Sequence, residues 1–106
     1  MIAFALPALL ERHAAAGERY HEFLRHPSLS LGLYVLPAGS EDAQSPHAED
    51  EVYLVVSGQA RFRCGAEDRQ VGPNDLLFVE AHAEHRFHAI AEDLTLLVFF
   101  APAHSG

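Results

Sequence analysis

Residues Pro46–Gly58 read "PHAEDEVYLVVSG". One histidine, His47, and three carboxylates, Glu49, Asp50 and Glu51, stand directly before an unbroken apolar run from Val52 to Val56. A half-exposed strand alternates apolar and polar residues, so a run apolar on both faces is expected to be covered on both. The polar cluster lies where a loop enters that strand. Imidazole and carboxylate together are donor types that hold divalent transition metals.

Outward from this stretch the chain reads as short strands separated by turns. "ARFRC" precedes Gly65, "RQV" precedes "GPND", and "LLFVEA", "HRFHAI" and "LTLLVFFA" follow, the last stopping at Pro102. No helical pattern intervenes, which argues against parallel βαβ units and for an antiparallel sandwich or barrel. Upstream, Leu29, Leu31, Leu33 and Val35 alternate between Pro27 and Pro37. Before them "ALPALLERHAAA", with Leu6, Leu9 and Leu10 at helical spacing, predicts one short helix capped by Gly17. The fold class expected is all-β, with a short N-terminal helix over 1–17 and a barrel over 30–102 in a single domain spanning 1–106.

At 106 residues the chain suits one compact core. Fifteen acidic residues against seven arginines, with no lysine, give a formal charge of −8, which excludes nucleic acid and acidic membrane surfaces as partners. The opening "MIAFALPALL" is interrupted by Pro7 and lacks a basic n-region, so neither signal peptide nor anchor is read and a cytoplasmic location is expected. Cys64 has no second cysteine to pair with and sits in an alternating stretch, as a small half-buried side chain would. The second apolar run, Leu94 to Ala101, is also apolar on both faces, and with one short helix to spare the missing cover is expected to be another subunit. A homodimer built through β-strands is therefore predicted.

Two motifs carry a resemblance. Pro37–Gly39 followed by the Pro46–Gly58 stretch resembles the first motif of the cupin superfamily: His-x-His, a short gap, Glu, six residues, Gly. Glu51 precedes Gly58 by six intervening residues, and His47 stands four positions before Glu51, where the second motif histidine belongs. "VGPNDLLFVEAHAEHRFHAI" is similar to the second motif, with Asp75 and His85 in register. The resemblance covers about the last 75 residues. It implies a double-stranded β-helix, or jelly-roll barrel, and a metal held by His47, Glu51 and His85.

The departures are specific. Ser45 stands where the first motif histidine would be, and could coordinate directly, through water, or not at all. Asn74, Glu80 and His82 replace the usual Gly, Pro and Gly; asparagine tolerates a left-handed backbone. Glu80 and His82 become candidates for proton transfer at the pocket mouth, with His82 equally readable as an exposed turn residue. Glu49 is the alternative carboxylate ligand. Strand alternation aims Tyr53 and Phe87 the same way as Glu51 and His85, to line a pocket around the metal as well as to fill the core. His88 falls on the opposite strand face, and His13, His21, His26 and His104, outside both motifs, read as solvated.

Two His and one Glu suit Fe, Mn, Ni, Co or Zn and leave coordination positions open for substrate. The resemblance then implies a metal-dependent enzyme on a small organic substrate, with dioxygenase-like chemistry ahead of isomerase or decarboxylase chemistry. The alternative is a non-catalytic cupin module that binds a metal or small ligand. A helix-turn-helix-linked regulator and a sugar-phosphate enzyme are disfavoured, since no such segment or basic cluster is present beyond Arg61, Arg63 and Arg69.

Overall fold

The computed structural model describes residues 1–105. Helix α1 (Leu6–Ala16) starts with Pro7 in its first turn, where a missing N–H costs nothing, and ends on Gly17 at φ 71°, a left-handed cap that glycine adopts without strain. Eight strands follow: β1 (Tyr20–His26), β2 (Leu29–Leu36), β3 (Asp50–Ser57), β4 (Ala60–Cys64), β5 (Glu67–Val71), β6 (Leu76–Val79), β7 (His85–His88) and β8 (Leu94–Ala101). They form a five-stranded sheet in the order β1-β2-β8-β3-β6 and a three-stranded sheet β5-β4-β7, with every pairing antiparallel. This is the all-β, jelly-roll architecture expected from the strand spacing and the motifs.

Inward residues of the two sheets share one core: Tyr53, Val55, Phe62, Val71, Phe87, Leu94, Leu96 and Val98 are all nearly or fully buried. The aromatic centre is compact, with Tyr53 edge-on to Phe87 at 5.0 Å and Phe62 4.6 Å from Phe87. Phe87 therefore fills the core, one of the two roles that alternation allows it. Residues with reversed backbone fall where the second motif departs from glycine: Asn74 and His82 adopt φ 73° and 68°.

One sequence expectation needs adjustment. The large sheet starts at Tyr20, about ten residues ahead of the expected barrel boundary, because Pro27 turns the chain between two strands that pair as a hairpin. The outer side chains of β3 and β8, Val52, Leu54, Leu97 and Phe99, are half-exposed, so within one chain the second face of these runs is only partly covered. Helix α1 packs chiefly against β1 and β2. No helix among the described residues is long and apolar enough to cross a membrane.

Candidate functional site

Strand alternation sends Glu51 and Tyr53 of β3, and His85 and Phe87 of β7, into the space between the sheets. The loop before β3 returns His47 to the same place. One ring nitrogen from each of His47 and His85 and a carboxylate oxygen of Glu51 lie within 4.8 Å of one another. With metal–ligand bonds of roughly 2.0–2.2 Å, donors on opposite sides of an ion are about 4 Å apart, so small shifts would let these three share one.

The hydrogen bonds around the triad say which atoms face inward. The Nδ1–H of His85 donates to the Ala83 carbonyl at 2.8 Å, leaving Nε2 toward the centre. That Nε2 lies 3.0 Å from Glu51 Oε1, both side chains being almost fully buried, and 3.1 Å from the Tyr53 hydroxyl. The geometry toward Glu51 does not meet a hydrogen bond, so Glu51 Oε1 lacks a donor and is compensated within the chain only when His85 is protonated. A buried carboxylate oxygen without a donor is costly. A cation among His47, His85 and Glu51 would relieve it, and the donor set of two imidazoles and one carboxylate fits a divalent transition ion.

The electrostatics separate the two imidazoles. Burial lowers the pKa of His47, keeping it neutral, with neighbouring Glu51 working the other way. Burial also works against a charge on His85, but Glu51 and the Ala83 carbonyl outweigh it and raise the pKa. Burial and then Glu67 push the Cys64 thiol up, away from a reactive thiolate.

Three polar residues beside the triad carried no motif signal. Gln44 places Oε1 3.1 Å from His47 Nε2 and 3.0 Å from the Tyr53 hydroxyl. Asp42, 5% exposed, accepts from the Gln44 amide, the Tyr34 hydroxyl and the Phe87 amide. His104, read from sequence as solvated, is instead half-buried, stacked on Phe100 at 4.4 Å with Nε2 3.1 Å from His47 Nδ1. The pairing of β8 with both β2 and β3 carries the C-terminal segment back to this place. A cavity of about 210 Å³ adjoins the triad, walled by Tyr20, Tyr34, Val98 and Phe100 and closed by Gln44, His47, Glu51 and His104.

Other candidates fall elsewhere. Ser45 is exposed and lines a polar groove with Arg63 and Arg86, outside the cavity. Glu80 and His82 are both exposed and do not line the cavity; the His82 amide instead bonds the His47 carbonyl at 2.6 Å, so its part is to hold the loop. Glu49 is buried, but beside His104 and not in the first triad. His88 pairs with Asp68 at 2.9 Å on the outer side of the small sheet, where Arg61 and Arg63 also meet Asp68.

The family model for the cupin domain, Cupin_2, matches residues 32–100, from β2 to the end of β8. The chain belongs to the cupin family. This cupin is 48% identical to the uncharacterized protein SCO3923 of Streptomyces coelicolor over 105 residues, 99% of this chain and all of the relative. Among solved structures it is similar to TT1209 from Thermus thermophilus, with a TM-score of 0.76 at 24% identity, covering 97% of this chain and 99% of that one. It also superposes on the DMSP lyase DddQ from Ruegeria pomeroyi, with a TM-score of 0.70 at 23% identity over 83% of this chain and 49% of that one. At these identities the structural likenesses bear on the fold.

Proposed function

We propose that this cupin is a metal-dependent enzyme in which His47, Glu51 and His85 hold a divalent transition ion and a small organic substrate occupies the adjoining cavity. The observation that supports it is the pair Glu51 Oε1 and His85 Nε2, buried 3.0 Å apart with no hydrogen bond between them. A bound ion supplies Lewis acidity toward a substrate oxygen, or activates O2 where it is iron.

The chain's own residues shape what enters. Burial holds the Tyr20 and Tyr34 phenols well above their ordinary range, so both remain protonated donors at neutral pH. The Tyr34 hydroxyl is committed to Asp42 at 2.7 Å, whereas the Tyr20 hydroxyl is buried without a partner and is free to donate to a substrate oxygen. Val98 and Phe100 present an apolar wall that excludes water. An oxygen-bearing, largely apolar molecule fits this lining, and a dioxygenase-type reaction is the first one to assay.

The test is metal content of protein purified without chelating resin, followed by oxygen uptake with Fe(II) and a panel of diketones, flavonols and thiols. Stoichiometric metal and turnover of one panel member is the expected result. Stoichiometric metal with no turnover would favour the non-catalytic binding module. Absence of any bound metal, with metal added back, ends the proposal.

A second copy of the chain is proposed as the cover for the outer face of the large sheet. Leu76 and Phe78 on edge strand β6 are 68% and 63% exposed, continuous through strand pairing with half-exposed Val52 and Leu54. An edge strand with apolar neighbours is suited to a two-fold pairing with itself. Light scattering at micromolar concentration should give twice the chain mass, and Phe78→Glu should return it to one.

A further inference from the structure

A second group of donors shares His47 with the triad. His104 Nε2 lies 3.1 Å from His47 Nδ1 and 4.0 Å from Glu49 Oε1, and the three side chains each offer a ligand atom within 4.8 Å of the others. Glu49 is 4% exposed, and its Oε1 has no hydrogen-bond donor among the described residues. Its other oxygen accepts from Ser105 Oγ at 2.7 Å, which aims Oε1 at the imidazoles.

The C-terminal segment is held, not merely adjacent. The His104 amide donates to Ser30 Oγ at 2.9 Å, the Arg25 guanidinium donates to the His104 carbonyl at 2.7 Å, and the His104 ring stacks on Phe100. For bonds of roughly 2.0–2.2 Å a tetrahedral edge is about 3.4 Å, so the nitrogens at 3.1 Å stand near that spacing and the carboxylate oxygen at 4.0 Å reaches it with a shift of about half an ångström. One shared proton between the imidazoles leaves the carboxylate oxygen bare, whereas a cation satisfies all three atoms.

We propose that His47 Nδ1, His104 Nε2 and Glu49 Oε1 form a second seat for a divalent transition ion, built by the C-terminal segment. The ion class follows from the donors: two borderline nitrogens and one oxygen select zinc-like ions over calcium or magnesium. The seat stands whether or not the first triad binds. If both fill, the His47 imidazole bridges them and its remaining N–H proton leaves to solvent.

The experiment is calorimetric titration of zinc sulfate into the full chain, with the bound ion counted by elemental analysis and the melting temperature read with and without zinc. In Glu51→Gln/His85→Gln, which lacks two of the first triad's ligands, one zinc per chain and a higher melting temperature are expected. Adding His104→Ala to that variant should remove both, and Glu49→Gln should do the same. His104→Ala alone should keep one zinc, on the first triad. The proposal is overturned if the double variant melts cooperatively yet takes no zinc, or takes it equally without His104. If the double variant does not fold, His85→Gln and His85→Gln/His104→Ala serve instead, and equal zinc in that pair also overturns the seat. Loss of all zinc from His104→Ala alone, with one ion kept by the double variant, would sink the first triad and leave this seat standing.

Discussion

Gln44 sets its Oε1 3.1 Å from His47 Nε2, beside the metal-ligand candidates and one residue from the serine that replaces the first motif histidine. The Gln44 amide nitrogen donates to Asp42 Oδ2 at 2.7 Å, and a carboxylate accepts only, so the orientation of the amide is determined. The oxygen facing His47 is therefore a neutral acceptor that adds no charge beside the proposed ion seat. Gln44→Leu preserves bulk and removes that oxygen. It is expected to leave the metal-free melting temperature within a few degrees while weakening zinc binding about tenfold, the range for losing a partner of a metal ligand. Titration of both proteins checks this, and equal affinities would remove Gln44 from the site.

How much of this was legible follows from periodicity. Glu51 and Tyr53 are two apart on β3, and His85 and Phe87 two apart on β7, so alternation alone aims each pair inward. Gln44 and Asp42 lie in the irregular stretch before β3, and His104 lies beyond Pro102, where no period applies. Their place depends on backbone turns and on β2 pairing with β8, contacts far apart in sequence. Motif spacing counts residues along a loop and leaves the role of Ser45 open for the same reason; it is exposed and shares a groove with Gln44 and His85. Tyr53 was read correctly in direction, but its hydroxyl's bond to Gln44 depends on that same loop.

Asp42 is a buried junction, and its removal should be felt in stability. Its two oxygens accept from the Tyr34 hydroxyl, the Gln44 amide and the Phe87 backbone N–H, at 2.7, 2.7 and 3.0 Å. Asn in its place keeps the shape but turns one acceptor into a donor, which then faces another donor. A loss of about 1–3 kcal/mol is expected for Asp42→Asn. At 106 residues this lowers the melting temperature by at least several degrees. An unchanged thermal melt would show that the three donors are satisfied some other way.

Gly32 on β2 is where the cavity wall admits no side chain. A Cβ there would run into the ring and hydroxyl of Tyr20 across the β1–β2 pair. Gly32→Ala is expected to cost about 1–3 kcal/mol by overpacking, or to displace the Tyr20 ring from the cavity. Tyr20→Phe gives the opposite pattern: it removes a buried hydroxyl with no partner, so stability should hold or rise slightly. If that hydroxyl meets substrate, binding weakens in both variants while melting temperature falls in only one. A fall in stability for Tyr20→Phe would mean the hydroxyl is already bonded in the metal-free protein.

Glu51→Gln should change sign with the metal. In chelated protein above the raised pKa of His85, where no protonated imidazole pairs with it, Glu51 is a buried carboxylate with one oxygen lacking a donor, and replacing it by a neutral amide of the same shape removes a burial cost. The variant is therefore expected to melt at the same temperature as the parent or above it in EDTA. With zinc at a hundredfold over the dissociation constant, binding to the folded state alone adds about 2.7 kcal/mol, or roughly 10 °C for a domain of this size. The parent gains that increment, whereas the Gln variant, lacking the anionic ligand, gains much less from the first triad. Because the proposed second seat also responds to zinc, the comparison belongs in a His104→Ala background, where only the first triad remains. Melting curves of both proteins with EDTA and with zinc would then cross, and parallel curves would mean that Glu51 holds no ion.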